Sequence, residues 1–308
     1  MPFNILDGAI QMNMKKGFII SSVAVLIIAF LFSLKTNTPA EIKETSQILI
    51  GAGDIADCSR DTDEKTATLL EHFPSSTVFT TGDNVYPVGT RDTYSQCYEP
   101  SWGKVKARTR PSPGNHDYAQ GTNSYFSYFG ENAGKKGEGY YSYDLGGWHI
   151  VMLDSECING CNTTSSQYMW LKNDLETAQA SCTMAMWHHP VFSSGMHGNS
   201  ERAHDLWNLL YNYGAEVVVN GHDHYYERFA PQNKAGQADS QGIREFIVGT
   251  GGKDLYAVTS IQPNSEIRNA ETFGVMKFDL KPGSYTWEFI PIEGSTFTDK
   301  GEGSCFTR

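Results

Sequence analysis

Positive charge is scarce in this sequence of 308 residues: 24 Lys and Arg stand against 35 Asp and Glu, a formal net of −11. Setting aside residues 1–40 leaves 21 basic and 34 acidic side chains, a net of −13, so the body is more acidic than the whole. That excludes a nucleic-acid scaffold role. It also disfavours long polyanions as substrates, while screening over about 8 Å at physiological salt leaves small phosphates little affected. Beyond residue 46 there is no internal repeat, low-complexity tract or linker-like Pro/Gly/Ser stretch, which excludes repeat architectures. With 39% hydrophobic and 12% aromatic residues the body can bury a sizeable core. A single domain over residues 41–308 is the expectation.

The one long apolar run is Phe18–Leu34, 17 residues without a charge, preceded by Lys15 and Lys16. This is an export signature. Its length lies between the apolar core of a signal peptide, roughly 7–15 residues, and a spanning helix of about 20, so cleavage and retention as a membrane anchor both stay open. No A-x-A site or lipobox cysteine follows, and Met14 makes a conventional start. Residues 1–40 are therefore expected to be an N-terminal extension plus signal peptide or signal anchor. The protein is expected to be exported: periplasmic, extracellular, or anchored facing outward.

Six cysteines in an exported chain point to disulfides. Cys157 and Cys161 have no second close pair downstream, which argues against a structural zinc site. Fifteen pairings are formally open; the expected set is Cys157–Cys161 and Cys58–Cys97, leaving Cys182 for Cys305.

Apolar runs predict strands at 47–53 and 77–81 around a helix at 61–73, a βαβ unit in which each strand ends in a Gly-Asp pair. Runs at 140–145 and 148–153 flank Gly146-Gly147, a hairpin signal. Tyr168, Leu171, Leu175 and Ala178, and later Ala203, Leu206, Leu210 and Tyr213, fall at helical spacing. Strands are further expected at 183–187, 216–219, 244–248, 275–280 and 285–290. The order implies a mixed α/β fold of sheets covered by helices, with a site at strand ends.

Five clusters place metal-ligating side chains beside Gly or Pro after apolar runs: GDIADC from Gly53, GDNVY from Gly82, GNHD from Gly114, WHHP from Trp187 and NGHDH from Asn220. A single Gly-Asp at a strand end is usually a turn. Together the five hold five of the nine His, the mixture of oxygen and imidazole donors that a pair of cations about 3.5–4 Å apart requires, with one carboxylate as bridge. The glycines are expected to let the backbone turn sharply, and the two His of HDH to share one side of an extended segment.

In this order the motifs resemble those of the calcineurin-like metallophosphoesterases, most closely the purple acid phosphatase branch of the secreted bacterial type. Ala56 stands where most of the superfamily has His, and Tyr86 stands where the purple branch has its tyrosine. The resemblance implies a four-layer α/β/β/α sandwich with a binuclear centre at strand ends. It implies a first metal held by Asp54, Asp83, Tyr86 and His224, and a second by Asp83, Asn115, His188 and His222. It gives His116 a place facing the substrate phosphate with Asp117 orienting it, and His197 the part of proton donor to the leaving group. His189, beside His188, is expected in a supporting role. A phenolate favours a hard trivalent ion, so the implied pair is Fe3+ with Zn2+, Fe2+ or Mn2+.

The expected reaction is attack of a metal-activated hydroxide on a small phosphate monoester, without a phosphoenzyme. Ser193 and Ser194 lack the surroundings of a nucleophile elbow. A phosphodiesterase or nucleotide pyrophosphatase on the same metals is the alternative within enzymes, and a non-catalytic surface binding module the alternative outside them. Oligomeric state is not legible. Asp57 and Asp223 are expected to hold turns or supporting hydrogen bonds rather than metal, and His149 to have no chemical partner.

Overall fold

The computed structural model of the chain describes residues 46–306; the expected N-terminal segment, its apolar run and the domain boundary after residue 40 lie outside the described residues. Among the described residues no helix is long and apolar enough to cross a membrane.

The chain opens with β1 (Gln47–Ala52), a two-residue β2 (Ala56–Asp57), α1 (Thr62–Glu71), β3 (Thr77–Thr81) and a two-residue β4 (Val85–Tyr86). β1 and β3 pair in parallel, Ile50 opposite Val78, with α1 as the crossover, which is the expected βαβ unit. Short helices α2 (Arg91–Thr93), α3 (Asn115–Tyr118) and α4 (Asn123–Phe129) surround β5 (Thr109–Ser112). The hairpin is β6 (Tyr141–Leu145) and β7 (Trp148–Met152). Gly146 and Gly147 both have positive φ, 60° and 82°, as a tight two-residue turn demands. Then come α5 (Ser166–Thr177), β8 (Cys182–Met186), α6 (His204–Asn212), β9 (Val217–Asn220), β10 (Tyr226–Phe229), β11 (Arg244–Val248), β12 (Ser265–Asn269), β13 (Gly274–Lys281), β14 (Ser284–Pro291) and β15 (Lys300–Ser304).

Two large sheets result, one of six strands in the order β15-β14-β13-β1-β3-β5 and one of seven in the order β12-β10-β11-β9-β8-β7-β6, beside a two-stranded sheet of β2 and β4. Their period-two alternation explains the layers. Leu49, Phe79, Ile150, Met184 and Val217 point into the core between the sheets. Their neighbours Ile50 and Val78 point to the layer with α1 and α4, whereas Val151, Ala185 and Val218 point to α5 and α6. Both faces of each central strand are covered, so these strands read as unbroken apolar runs, and the order is α/β/β/α.

β15 was not legible, because its sequence Lys-Gly-Glu-Gly-Ser has little strand propensity. A Cβ at Gly301 would overlap the Trp287 ring, and one at Gly303 the Tyr285 ring, so the glycines make room for aromatic side chains of β14. His149 also departs from expectation. Its Nδ1 lies 2.9 Å from Asp144 and its Nε2 2.8 Å from Asp174, partners brought by the hairpin and α5.

The three disulfides are Cys58–Cys97, Cys157–Cys161 and Cys182–Cys305. Beside the second, the buried Asp154 carboxylate accepts the backbone N–H of Glu156 at 2.8 Å. Burial pushes its carboxyl up to about 7, although that N–H favours the charged form. The folded state therefore keeps a proton that the unfolded chain loses near pH 4, so this stability is full below about pH 4 and lost as pH rises to 7. Asp154→Asn is expected to flatten that slope: urea midpoints at pH 5 and 7.5 should differ less in the variant than in the parent. Equal differences would refute the assignment.

Candidate metal centre

Every candidate donor lies at or just after the carboxyl end of a strand. Asp54 follows β1, Asp83 follows β3, Tyr86 ends β4, His188 follows β8, and His222 and His224 follow β9; Asn115 begins α3 after β5. β1, β3 and β5 are parallel neighbours, as are β8 and β9. Each sheet therefore delivers its donors at one end.

Gly82, with φ of 86°, turns the backbone before Asp83 as expected, but the other motif glycines act differently. Asp54, Asp83 and His222 themselves take the left-handed conformation, with φ of 59°, 48° and 68°, which L-residues adopt at a cost characteristic of functional sites. At Gly114 a Cβ would overlap the Asp83 carboxylate, and at Gly221 it would lie 2.6 Å from Asp54 Oδ2. These glycines permit close approach. The turn at His222 also means that the HDH pair converges through a bend, because β9 ends at Asn220.

The Tyr86 hydroxyl lies 2.9 Å from Asp54 Oδ1, 2.9 Å from Asp83 Oδ2 and 3.0 Å from His224 Nε2. His224 Nδ1 is 2.6 Å from the Asp254 carbonyl, which can only accept, so Nε2 presents a lone pair. One phenolic proton cannot serve three acceptors, and the four atoms fit a cation among them. Burial raises the Tyr86 phenol well above its ordinary value, and Asp54 and Asp83 raise it further; a bound cation reverses that logic.

A second group adjoins the first. His188 Nδ1 donates to the Thr81 carbonyl at 2.8 Å, which leaves Nε2 facing Asp83 Oδ2 at 3.3 Å, Asn115 Oδ1 at 3.1 Å and His222 Nδ1 at 3.2 Å. Asp83 Oδ2 thus belongs to both groups. Burial disfavours charge on both histidines, but Asp83 beside His188 carries it up to about 10, while His222, next to His188, falls to about 2. A ring nitrogen of His189 also comes within 4.8 Å of those of His188 and His222. However, His189 Nδ1 pairs with Ser155 Oγ at 3.0 Å, and Glu156 Oε1 lies 3.1 Å from it.

His116 adjoins Tyr86 and Asp83, and His197 adjoins His222. His116 Nε2 lies 3.9 Å from Asp83 Oδ2, and its Nδ1 is held by the Pro87 carbonyl at 2.6 Å. Asp117, expected to orient that ring, instead accepts from Gly114 N, Asn84 N and Nδ2, and the Tyr94 hydroxyl. It holds the loop that carries Asn115 and His116. The His197 ring stacks on His222 with centroids 4.3 Å apart, and its backbone N–H donates to Asp223 at 2.9 Å. Ser193 Oγ donates to the same buried carboxylate and Ser194 Oγ to Glu227, so these serines anchor the His197 loop.

Three contributors were missed. Tyr256 stacks on His224 at 3.9 Å, the Asp254 carbonyl fixes the His224 tautomer, and Glu156 reaches His189. The stretch Gly251–Gly252 before Lys253 was the signal for the first two; Glu156 carried none.

Comparison with known proteins bears on this geometry. A family model described as calcineurin-like phosphoesterase matches residues 40–226. Purple acid phosphatase 21 of Arabidopsis thaliana is 30% identical over 239 residues, which cover 67% of this chain and 54% of the relative. The chain thus spans about half of that relative's length. A purple acid phosphatase, PPD1, from yellow lupin (Lupinus luteus) seeds superposes with a TM-score of 0.65 at 18% identity, over 84% of this chain and 54% of that one. GAP50, the anchor in the inner membrane complex of Plasmodium, superposes with a TM-score of 0.63 at 13% identity, over 86% and 90%. At such identities these superpositions show a shared fold.

Proposed function

Because the chain belongs to the calcineurin-like phosphoesterase family, we propose that it is an exported phosphatase that hydrolyses small phosphate monoesters with two metal ions. The observation that carries the proposal is Asp83 Oδ2, placed 2.9 Å from the Tyr86 hydroxyl and 3.3 Å from His188 Nε2, where one carboxylate oxygen serves two donor groups. Asp54, Asp83, Tyr86 and His224 would hold one ion, and Asp83, Asn115, His188 and His222 the other. The tyrosine favours Fe3+ at the first, with Zn2+, Fe2+ or Mn2+ at the second. When bound, the ions supply hydroxide near neutral pH and positive charge for the phosphate oxygens.

The chain's own residues supply the rest. His197, on a loop fixed through Asp223, donates a proton to the departing alkoxide. His116, with Nδ1 tied to Pro87, presents Nε2 toward the equatorial oxygens. Three disulfides among the described residues support export, with the anchor or signal at residues 18–34.

Turnover of a nitrophenyl phosphate monoester and the matching diester by disulfide-bonded protein of known metal content tests the proposal. A monoester preference of at least about tenfold in kcat/KM, some 1.4 kcal/mol, is expected. A diester preference would replace the substrate assignment with the phosphodiesterase reading. Inactivity with both ions bound would favour a binding module, a role the fold alone permits.

A further inference from the structure

A cavity of about 520 Å³ opens beside the donor cluster, and Asn115, His189, His197, Asn199, Arg202 and His222 are among its lining residues. A volume of that order accommodates a small organic ligand. An ester whose phosphoryl group meets Asn115 and His222 has room for its alcohol in this cavity, and Arg202 is the one Lys or Arg in the described lining.

The wall around Arg202 is built. Glu156, its side chain 12% exposed, sets Oε1 3.1 Å from His189 Nδ1 and Oε2 3.8 Å from Arg202 Nη1. Glu156 immediately precedes the small loop closed by Cys157–Cys161. The 3.8 Å approach orients the guanidinium electrostatically but is too long for a hydrogen bond. Its N–H groups stay available on a side chain that is 52% exposed. Glu201 shares the lining and opposes any diffuse positive field, so attraction there has to come from direct forked contact with the guanidinium.

We infer that Arg202 reads a second anionic group on the leaving side of the substrate, so that the favoured esters are those whose alcohol itself carries a phosphate or carboxylate. The inference rests on the hydrolase reading for the site's orientation.

Its test is binding by calorimetry to the metal-loaded protein, which needs no turnover. The probes are propylphosphonate, propane-1,3-diphosphonate and 3-phosphonopropionate. The parent is expected to bind one or both doubly anionic probes more tightly than propylphosphonate, and the preferred probe tells phosphate from carboxylate. Arg202→Ala should weaken that probe by at least about tenfold, the scale of a charge-assisted contact, and change propylphosphonate less than about twofold. Arg202→Lys, which keeps the charge and loses the fork, should restore only part of the loss. Equal weakening of all three probes, no change in any, or no preference in the parent would overturn the inference. If the Arg202 dependence appears but neither the monoester nor the diester is hydrolysed, the hydrolase reading falls and the anion contact stands. If nitrophenyl phosphate is hydrolysed and binding ignores Arg202, this inference falls alone.

Discussion

Asp83→Asn should remove both metals from the folded protein and lower monoester hydrolysis on the order of 10³-fold or more, beyond the loss typical of one electrostatic contact. Asp83 is 2% exposed, and its two oxygens have different tasks. Oδ1 accepts the His116 backbone N–H at 2.8 Å, a contact that asparagine can keep. Oδ2 faces Tyr86 and His188, and there an amide brings neither charge nor a second anionic lone pair. Burial works against an ionised Asp83, but His188 beside it holds the carboxyl below the usual range, so the site is arranged for the anion. Asp83→Ala should lose metal as completely and also leave a void beside Tyr86. Elemental analysis with a thermal melt separates metal loss from unfolding. A folded Asp83→Asn protein with two ions and the parent rate would sink the ligand assignment.

The second large effect is on stability. Cys182 begins β8 in the seven-stranded sheet, and Cys305 follows β15 at the edge of the six-stranded sheet. Their bond spans 123 residues, and loop-closure entropy for that length corresponds to about 5 kcal/mol as an upper scale. Replacing both cysteines by serine should lower the midpoint of unfolding by roughly 10 °C, taking about 2–4 °C per kcal/mol for a chain of this size. The Cys157–Cys161 bond closes a separation of only 4, so the same replacement there should cost much less. Calorimetric melts of the two double variants decide the matter. Equal midpoints would show that the long bridge does not restrain the unfolded chain.

The central strands were legible because both of their faces are covered, so apolar runs such as Val217–Val219 have no polar alternation to obscure them. Helices α5 and α6 were legible through one apolar stripe each. The region between β4 and β6 was not. Its helices α2 and α3 span three and four residues, less than the periodicity needs to register.

By itself the sequence determined which donors exist and in what order they follow strand ends, because a carboxylate or imidazole next to glycine after a buried strand is a local arrangement that neighbouring residues specify. It also set the acidic balance of the body. Only the tertiary structure decided which atoms meet. Asp117 meets Asn84 and Tyr94 rather than the His116 ring, Glu156 comes to lie between His189 and Arg202, and Tyr256 covers His224. These contacts join segments of the chain far apart in sequence, and their geometry follows from how the two sheets and their loops pack, which no spacing along one strand encodes.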